Sequence, residues 1–288
     1  MTYLLLAILG SGSIPVLFRA FESWRVNVYW AIPINYLTCV VVGRLWAGYS
    51  LDFAHLPAQP WFGLALFQGI ILAVNFFLLA YTAQRAGVAV AALASRLSVA
   101  IPALLAFALY GDTLTAVKLA GLVAGVLSLY LCTAQFGASR RVHSLTIRLL
   151  PLLVFVTFGG YFTIIKYAQA HYLDERSYHP YVMTGFFCAF LASVMIGAGR
   201  KLLAIRAFQI ADALAGVLLG AVNYLAVYAL VKVLALAGWQ SSQLYPVYSV
   251  GVVGVSTVLA MILFGERLSR MRTIGLALGL IAVALLNR

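Results

Sequence analysis

One arginine lies deep within an apolar stretch, where a charged side chain needs a chemical reason. Arg96 is about nine residues into the apolar segment 87–110, so roughly 13 Å of helix separates it from the nearer end. A charge at that depth costs at least about 2.5–3.5 kcal/mol in a bilayer. No Asp or Glu lies near the middle of an apolar segment. The remaining partners are an anionic group on a substrate, water in a cavity, or helix carbonyls. The alternatives to the substrate anion are a structural arginine that ties carbonyls or Glu22 together and a misplaced segment boundary.

Other polar residues are expected at a similar depth. Asn75 lies about eight residues before the end of segment 61–83, and Asn223 occupies the equivalent place in the second half of the chain. The alternative role for each asparagine is an interhelical hydrogen bond, and for the tyrosines an interfacial aromatic belt. The predicted substrate-binding set is Arg96, Asn75, Asn223, Tyr248, Tyr245, Gln243 and Ser95.

Four charged residues nearer the segment ends form a gating or secondary set. Lys166 and Arg19 are equivalent positions of the two halves, Lys232 is placed similarly in segment 211–236, and Glu22 is a potential ion-pair partner. The favoured role of the basic members is to extend toward the lipid headgroups, and the alternative is a second anion contact or a gate pair with Glu22.

The chain lacks the residue patterns of an enzyme or a metal protein. It has no Ser-His-acid set, no HExxH and no Gly-rich phosphate loop followed by Lys. Cys39, Cys132 and Cys188 are far apart in sequence, so they fit no metal site and are expected to pack as small apolar residues. We predict no catalytic residue, no metal and no cofactor.

The composition requires a membrane. Of the 288 residues, 64% are hydrophobic and 9% are charged, against roughly 25% charged in soluble domains. The net charge of +12 comes mostly from short loops, where basic residues set topology and meet lipid phosphates. Alternation of period two is absent, so helices are expected rather than a barrel. The predicted spans are 2–18, 29–48, 61–83, 87–110, 114–134, 147–170, 180–199, 211–236, 239–264 and 269–287.

The two halves of the chain resemble each other. Ala73-Val74-Asn75-Phe76 returns as Ala221-Val222-Asn223-Tyr224, and a shift of 154 positions matches many residues of segments 87–134 to their own type. Five spans in each half make the halves run in opposite directions through the membrane, as in many secondary transporters. The predicted fold is an all-α integral membrane protein of ten transmembrane helices in two inverted five-helix repeats, 1–137 and 147–288, with a linker at 138–146.

A turn motif carries a family resemblance. Gly265-Glu266-Arg267-Leu268, followed by Gly275 and Gly279, and its echo Gly111-Asp112-Thr113-Leu114 resemble the drug/metabolite transporter superfamily, EamA type, over the whole chain. The resemblance implies a central cavity lined by both repeats, the fifth and tenth helices to the side, and cytoplasmic termini. The positive-inside rule instead favours termini outside, so both orientations stay open.

These observations predict a secondary transporter or facilitator that moves a small polar metabolite with an anionic group, such as an amino acid, by alternating access, as an exporter. The alternatives are a lipid or headgroup flippase, a nucleotide-sugar or sugar-phosphate exchanger, and a membrane scaffold without transport. In relatives that carry phosphorylated substrates, the resemblance implies basic residues on the fourth and ninth helices; Arg96 matches the first place and Val250 departs from the second. Expected partners are the substrate and membrane lipids, without nucleic acid, for a monomer or weak homo-oligomer of the bacterial inner membrane.

Overall fold

The protein is built from α-helices. The computed structural model describes residues 2–47, 55–98, 100–102, 105, 115–134, 145–173, 177–201, 207–236, 241–266 and 269–286. No strand occurs in these residues, which confirms the predicted all-α class. The helices are α1 (Thr2–Ser23), α2 (Val28–Ala47), α3 (Phe62–Arg85), α4 (Val88–Leu97), α5 (Ala116–Ala134), α6 (Leu145–His171), α7 (Tyr178–Lys201), α8 (Ile210–Leu236), α9 (Ser241–Phe264) and α10 (Arg270–Leu286), with a 3₁₀ turn at Leu56–Ala58.

Six of these helices are long and apolar enough to cross a membrane, judged by length and composition. They are the spans Thr2–Ser23, Val28–Leu45, Phe62–Arg85, Ile147–Ile165, Tyr178–Gly199 and Ile210–Leu230. The other four helices supply shorter apolar stretches within the described residues. This set of long apolar helices indicates a multi-pass membrane protein. The predicted span 87–110 is described as far as Leu97 and at residues 98, 100–102 and 105, and its other residues lie outside the described part.

The chain divides into two compact units. Unit 1 comprises residues 1–20, 78–159 and 225–288, and unit 2 comprises residues 21–77 and 160–224. In unit 1, α5 and α10 pack through small residues: a Cβ added to Gly125 would lie 3.8 Å from Ala282, and one added to Gly279 would lie 2.6 Å from the Ser128 hydroxyl. Ser128 also donates to the Gly275 carbonyl at 2.6 Å. Small residues at such positions let helix backbones approach closely.

Glycines also allow α1 and α6 to make close contacts within unit 1. A Cβ on Gly12 would lie 2.9 Å from Val255 of α9, and the Ser256 hydroxyl donates to the Gly12 carbonyl at 2.9 Å. Gly159 of α6 faces Ile101 in the same way, with no room for a side chain. Both contacts place a glycine backbone against a β-branched side chain.

In the described residues of unit 2, glycines allow close contact of α2 with α8 and of α3 with α7. In the α2–α8 pair, a Cβ on Gly216 would lie 2.7 Å from the Ala31 carbonyl, and one on Gly220 would lie 2.6 Å from the Asn35 carbonyl. In the second pair, Gly69 of α3 lies against Gly185 and Cys188 of α7. Trp61, immediately before α3, packs edge-on against Tyr181 of α7 with ring centroids 5.8 Å apart.

The order of contacts gives each pair a direction. In the α3–α7 pair, Trp61 meets Tyr181 and Gly69 meets Cys188, so both numbers rise together and the helices are parallel. The α2–α8 pair is parallel by the same reasoning. In the α5–α10 pair the order is reversed, because Gly125 meets Ala282 whereas Ser128 bonds to Gly275. This pair is antiparallel.

Candidate functional site

The guanidinium of Arg96 is the centre of the candidate site in unit 1. It projects from the last turn of α4, an alanine-rich helix in which Val88 to Ser95 are all buried. Its Cζ lies 4.9 Å from the ring centroid of Tyr248 on α9, which is a cation–π contact. Arg96 itself is half-buried, and its Nε is buried without a hydrogen-bond partner among the described residues. The Arg96 charge thus lies against the face of the Tyr248 ring, and its Nε–H donor has no acceptor among the described residues.

Tyr248 is held in place by Ser11, a residue that the sequence analysis did not identify. The hydroxyls of Tyr248 and Ser11 share a hydrogen bond of 2.5 Å, and both side chains are buried. Ser11 lies on α1, between Gly10 and Gly12, whose lack of side chains lets α1 approach its neighbours. These two flanking glycines are the sequence feature that could have indicated a close helix contact at Ser11. Because Tyr248 is only 5% exposed in unit 1, it is a core side chain held in one orientation.

The other predicted members from this part of the chain contribute less. Ser95 is buried and its hydroxyl donates to the Ala92 carbonyl of its own helix at 2.8 Å, so its donor is already used. The side chains of Gln243 and Tyr245 lie outside the described residues, and their assignment stays a prediction.

A carboxylate from the turn motif caps the Arg96 helix. Gly87 precedes α4 with φ +106° and has no side chain to cap the helix, so Glu266 performs this role: its Oε1 accepts the Val88 backbone N–H at 3.2 Å. Gly265 has φ +60°, in the left-handed region that ends a helix with little strain when the residue is glycine. The motif Gly265-Glu266 thus ends α9 and starts α4. A negative charge at a helix N-terminus is also favoured by the helix dipole.

This cap gives a stability prediction. Replacing Glu266 with Ala should lower the free energy of unfolding by about 1 kcal/mol, the usual loss for a removed helix cap. Glu266→Gln keeps an acceptor oxygen but loses the charge, so its loss should be smaller, about 0.3–1 kcal/mol. Thermal unfolding of the purified variants measures both. Equal melting temperatures for the wild type and both variants would contradict the capping role.

The two predicted asparagines have different surroundings in unit 2. Asn223 of α8 donates through Nδ2 to Asn35 Oδ1 of α2 at 3.3 Å, and also approaches Cys39 Sγ at 3.6 Å. Asn223 therefore makes the interhelical hydrogen bond that was its alternative role. Asn75 of α3 is fully buried, and neither its Nδ2 nor its Oδ1 has a hydrogen-bond partner among the described residues. Cys39 donates to the Gly220 carbonyl at 3.5 Å, in a packing role.

The secondary set is described in part. Arg19 donates through Nη1 to the Gln84 carbonyl, and Gln84 in turn donates to the Phe18 carbonyl at 2.8 Å, which joins α1 to the end of α3 in unit 1. Glu22 is exposed at the end of α1. The side chains of Lys166 and Lys232 lie outside the described residues, so their gating assignment stays a prediction.

A buried acid was overlooked at the start of α8. Asp212 is fully buried in unit 2, accepting the Asn27 backbone N–H through Oδ1 at 2.8 Å and the Gln209 N–H through Oδ2 at 2.9 Å. The sequence signal was an acid in the first turn of a helix, where it satisfies backbone donors. Asp212 thus fastens the start of α8 to the start of α2.

Comparisons with known proteins give the fold and leave the function open. No family model matches the chain. An uncharacterized protein of Haemophilus influenzae is 24% identical over 287 residues, covering 97% of this chain and 95% of that protein. A crystal structure of another protein has a TM-score of 0.60 and 19% identity, covering 99% of this chain and 94% of that chain. The chain therefore shares its fold with a solved structure along nearly its whole length.

Proposed function

We propose that this chain is a secondary transporter or facilitator of the drug/metabolite transporter type, moving a small polar metabolite with an anionic group across the bacterial inner membrane. The architecture we propose is ten transmembrane helices in two inverted repeats, 1–137 and 147–288, joined by residues 138–146. Alternating access would come from one bundle rocking against another. The expected direction is export of an amino acid or a related metabolite.

The directions of the helix pairs support ten spans. In a chain that crosses the membrane at every helix, helices of the same parity run parallel and helices of opposite parity run antiparallel. The pairs α2–α8 and α3–α7 are parallel, and α5–α10 is antiparallel. The pair α4–α9 is antiparallel, because Val88 meets Glu266 and Arg96 meets Tyr248. Every one of these pairs obeys the parity expected for ten alternating spans.

Contacts related by the repeat support the two-fold arrangement. A shift of 154 positions relates Gly125 to Gly279 and Ser128 to Ala282. Gly125 contacts Ala282, and Gly279 contacts Ser128, so each contact is the repeat equivalent of the other. These four residues form a pair of equivalent contacts across one helix pair. Such reciprocity is what a two-fold axis between α5 and α10 would produce.

A second pair of equivalent contacts involves α1 and α6. Gly12 and Gly159 are equivalent positions by the same 147-residue shift that relates Arg19 to Lys166, and the 154-residue shift carries Ile101 to Val255. Gly12 packs against Val255, and Gly159 packs against Ile101. The same glycine-to-side-chain contact is therefore made once by each repeat, which supports the proposed equivalence of α1 with α6 and of the Arg96 segment with α9.

The observation that carries the proposed substrate class is the guanidinium of Arg96. It is half-buried on an apolar helix, rests on the Tyr248 ring and has an unused Nε–H donor among the described residues. A carboxylate or another planar anion would satisfy that donor, because arginine presents a rigid fork of N–H groups. Val250 occupies the equivalent position of the second repeat, so only one cation would orient the substrate.

Exchange in proteoliposomes tests the proposal. Purified full-length protein is reconstituted into liposomes loaded with unlabelled amino acids, organic acids, nucleotides or sugar phosphates, and entry of the same labelled compound is followed. We expect saturable counterflow of a carboxylate-bearing metabolite. Movement of a labelled lipid analogue between leaflets without any solute exchange would favour a flippase, and counterflow restricted to nucleotide sugars or sugar phosphates would favour that exchanger class.

A further inference from the structure

The unit 2 interior contains a concentration of unpaired polar atoms. Six buried side-chain atoms of unit 2 have no hydrogen-bond partner among the described residues: Asn75 Nδ2 and Oδ1, Asn35 Nδ2, Gln68 Oε1, Tyr181 OH and Thr184 Oγ1. All five side chains are at most 3% exposed. Buried polar groups in native proteins are nearly always paired, so each exception needs an explanation. A cluster of exceptions points to a partner that the chain itself does not supply.

Four of these five side chains follow one contact line, which we call the α3–α7 seam: Gln68 and Asn75 of α3 with Tyr181 and Thr184 of α7. Gln68 lies at Gly185, since a Cβ added there would be 3.4 Å from Gln68 Nε2. Thr184 precedes Gly185 and lies one turn after Tyr181. Asn75 is seven residues beyond Gln68, two helical turns along the same face of α3. The unpaired atoms therefore extend along a shared helix face.

Asn35 joins this line from the side of α2. Its neighbour Tyr36 donates to the Leu72 carbonyl of α3 at 2.8 Å, which places this turn of α2 against α3 between Gln68 and Asn75. The Oδ1 of Asn35 is used by Asn223, whereas its Nδ2 is not used. The amide nitrogen of Asn35 is thus one more unpaired donor among the buried polar atoms of unit 2.

The chemistry of the six atoms selects the kind of partner. Two are amide N–H donors, two are amide carbonyl acceptors and two are hydroxyls, which can both donate and accept. A metal cation would pair with the oxygens and leave the amide nitrogens unpaired, and an anion would do the reverse. None of the six groups carries a charge at neutral pH. A neutral molecule with both donors and acceptors, of the carboxamide or polyol kind, can pair with groups of all three types.

We propose that the α3–α7 seam, together with Asn35, binds a small neutral polar molecule of the carboxamide or polyol class. This site belongs to unit 2 and is built without Arg96. It assigns Asn75 to the recognition of an uncharged group. The site does not depend on the proposed anion contact, so either proposal can fail alone.

The test compares apolar replacements of unpaired and paired groups in the full-length protein. Asn75→Leu removes an unpaired amide, Gln68→Leu removes an amide whose carbonyl is unpaired, and Thr184→Val removes an unpaired hydroxyl. The matched controls are Asn223→Leu, whose amide is bonded to Asn35, and Ser193→Ala, whose buried hydroxyl donates to the Phe190 carbonyl at 2.8 Å. Without added solute, the three test variants should melt at or above the wild-type temperature, whereas Asn223→Leu should melt below it.

Binding is measured by the melting-temperature shift produced by acetamide, glycerol and myo-inositol in a concentration series. At least one probe should give a saturable shift, and Asn75→Leu should weaken its apparent affinity at least tenfold. Ser193→Ala and Arg96→Met should keep the wild-type response. Destabilisation of Asn75→Leu as large as that of Asn223→Leu would overturn the proposal, and so would the lack of a saturable response to all three probes.

Discussion

Replacing Arg96 with methionine is expected to remove recognition of the anionic substrate while the protein remains folded. Methionine matches the arginine side chain as far as Nε and carries no charge. Losing a charge-assisted hydrogen bond removes about 1.5–3 kcal/mol of binding free energy, which is roughly a tenfold to hundredfold loss of affinity. The free energy of unfolding should fall by no more than the lost cation–π contact, about 0.5–2 kcal/mol, because Nε of Arg96 has no partner among the described residues. Counterflow and thermal unfolding measure the two effects separately.

Two further variants separate charge from geometry. Arg96→Lys keeps the charge but loses the planar fork, so transport should be weakened less than in Arg96→Met. Tyr248→Leu keeps Arg96 but removes the ring beneath it and the hydrogen bond to Ser11, so substrate affinity should fall through disordering of the guanidinium. If Arg96→Met instead unfolds, Arg96 has a structural role. If Arg96→Met transports at the wild-type rate, the anion contact lies elsewhere.

Replacing Gly69 with alanine is expected to destabilise the protein by about 3 kcal/mol, at the upper end of the usual loss from overpacking. The added Cβ would lie 2.5 Å from Cys188 Cβ, 2.7 Å from the Gly185 carbonyl oxygen and 2.9 Å from the Ala189 nitrogen. Two of these atoms are backbone, so rotation of a side chain cannot relieve the clash, and α3 must move away from α7. Thermal or denaturant unfolding in detergent micelles measures the loss.

Gly63 provides a matched control on the same helix. A Cβ added to Gly63 meets no atom within 4 Å among the described residues. Gly63→Ala should therefore be neutral or slightly stabilising, since alanine has the higher helix propensity by up to about 1 kcal/mol. Opposite signs for the two glycine variants would establish that α3 and α7 are in close contact at Gly69. Equal effects would mean that this contact is looser than the structure has it.

The helices could be predicted from the sequence because long apolar segments and short polar breaks repeat along the chain. Segment 29–48 was predicted where α2 spans Val28–Ala47, and segment 211–236 where α8 spans Ile210–Leu236. The first helix was predicted to end at residue 18 but continues to Ser23. The apolar run stops before Arg19 and Glu22, whereas the helix continues through them, because a helix can carry charged residues at its end.

Site residues could be predicted from the sequence only where the depth of a residue along its helix was enough to identify it. Arg96 and Tyr248 were both placed in the candidate set, and their contact joins the end of α4 to the beginning of α9. Ser11 was missed because its partner is 237 residues away, and hydropathy does not encode which helices pack together. Asn75 and Asn223 occupy equivalent places in the predicted repeat, yet among the described residues only Asn223 has a side-chain partner, because Asn35 faces it. Pairing depends on the neighbouring helix, which local sequence does not determine.

Helices α4 and α9 are joined at two separate points, the Glu266 carboxylate on the Val88 amide and the Arg96 guanidinium on the Tyr248 ring. In the proposed transporter, a substrate anion that draws Arg96 off the ring would remove the contact at the C-terminal end of α4 and leave the Glu266 contact at its N-terminal end. Val90 and Leu93 of α4 also share a buried apolar cluster with Val253 of α9. Substrate binding would therefore loosen α4 from α9 at one end while the other end stays attached.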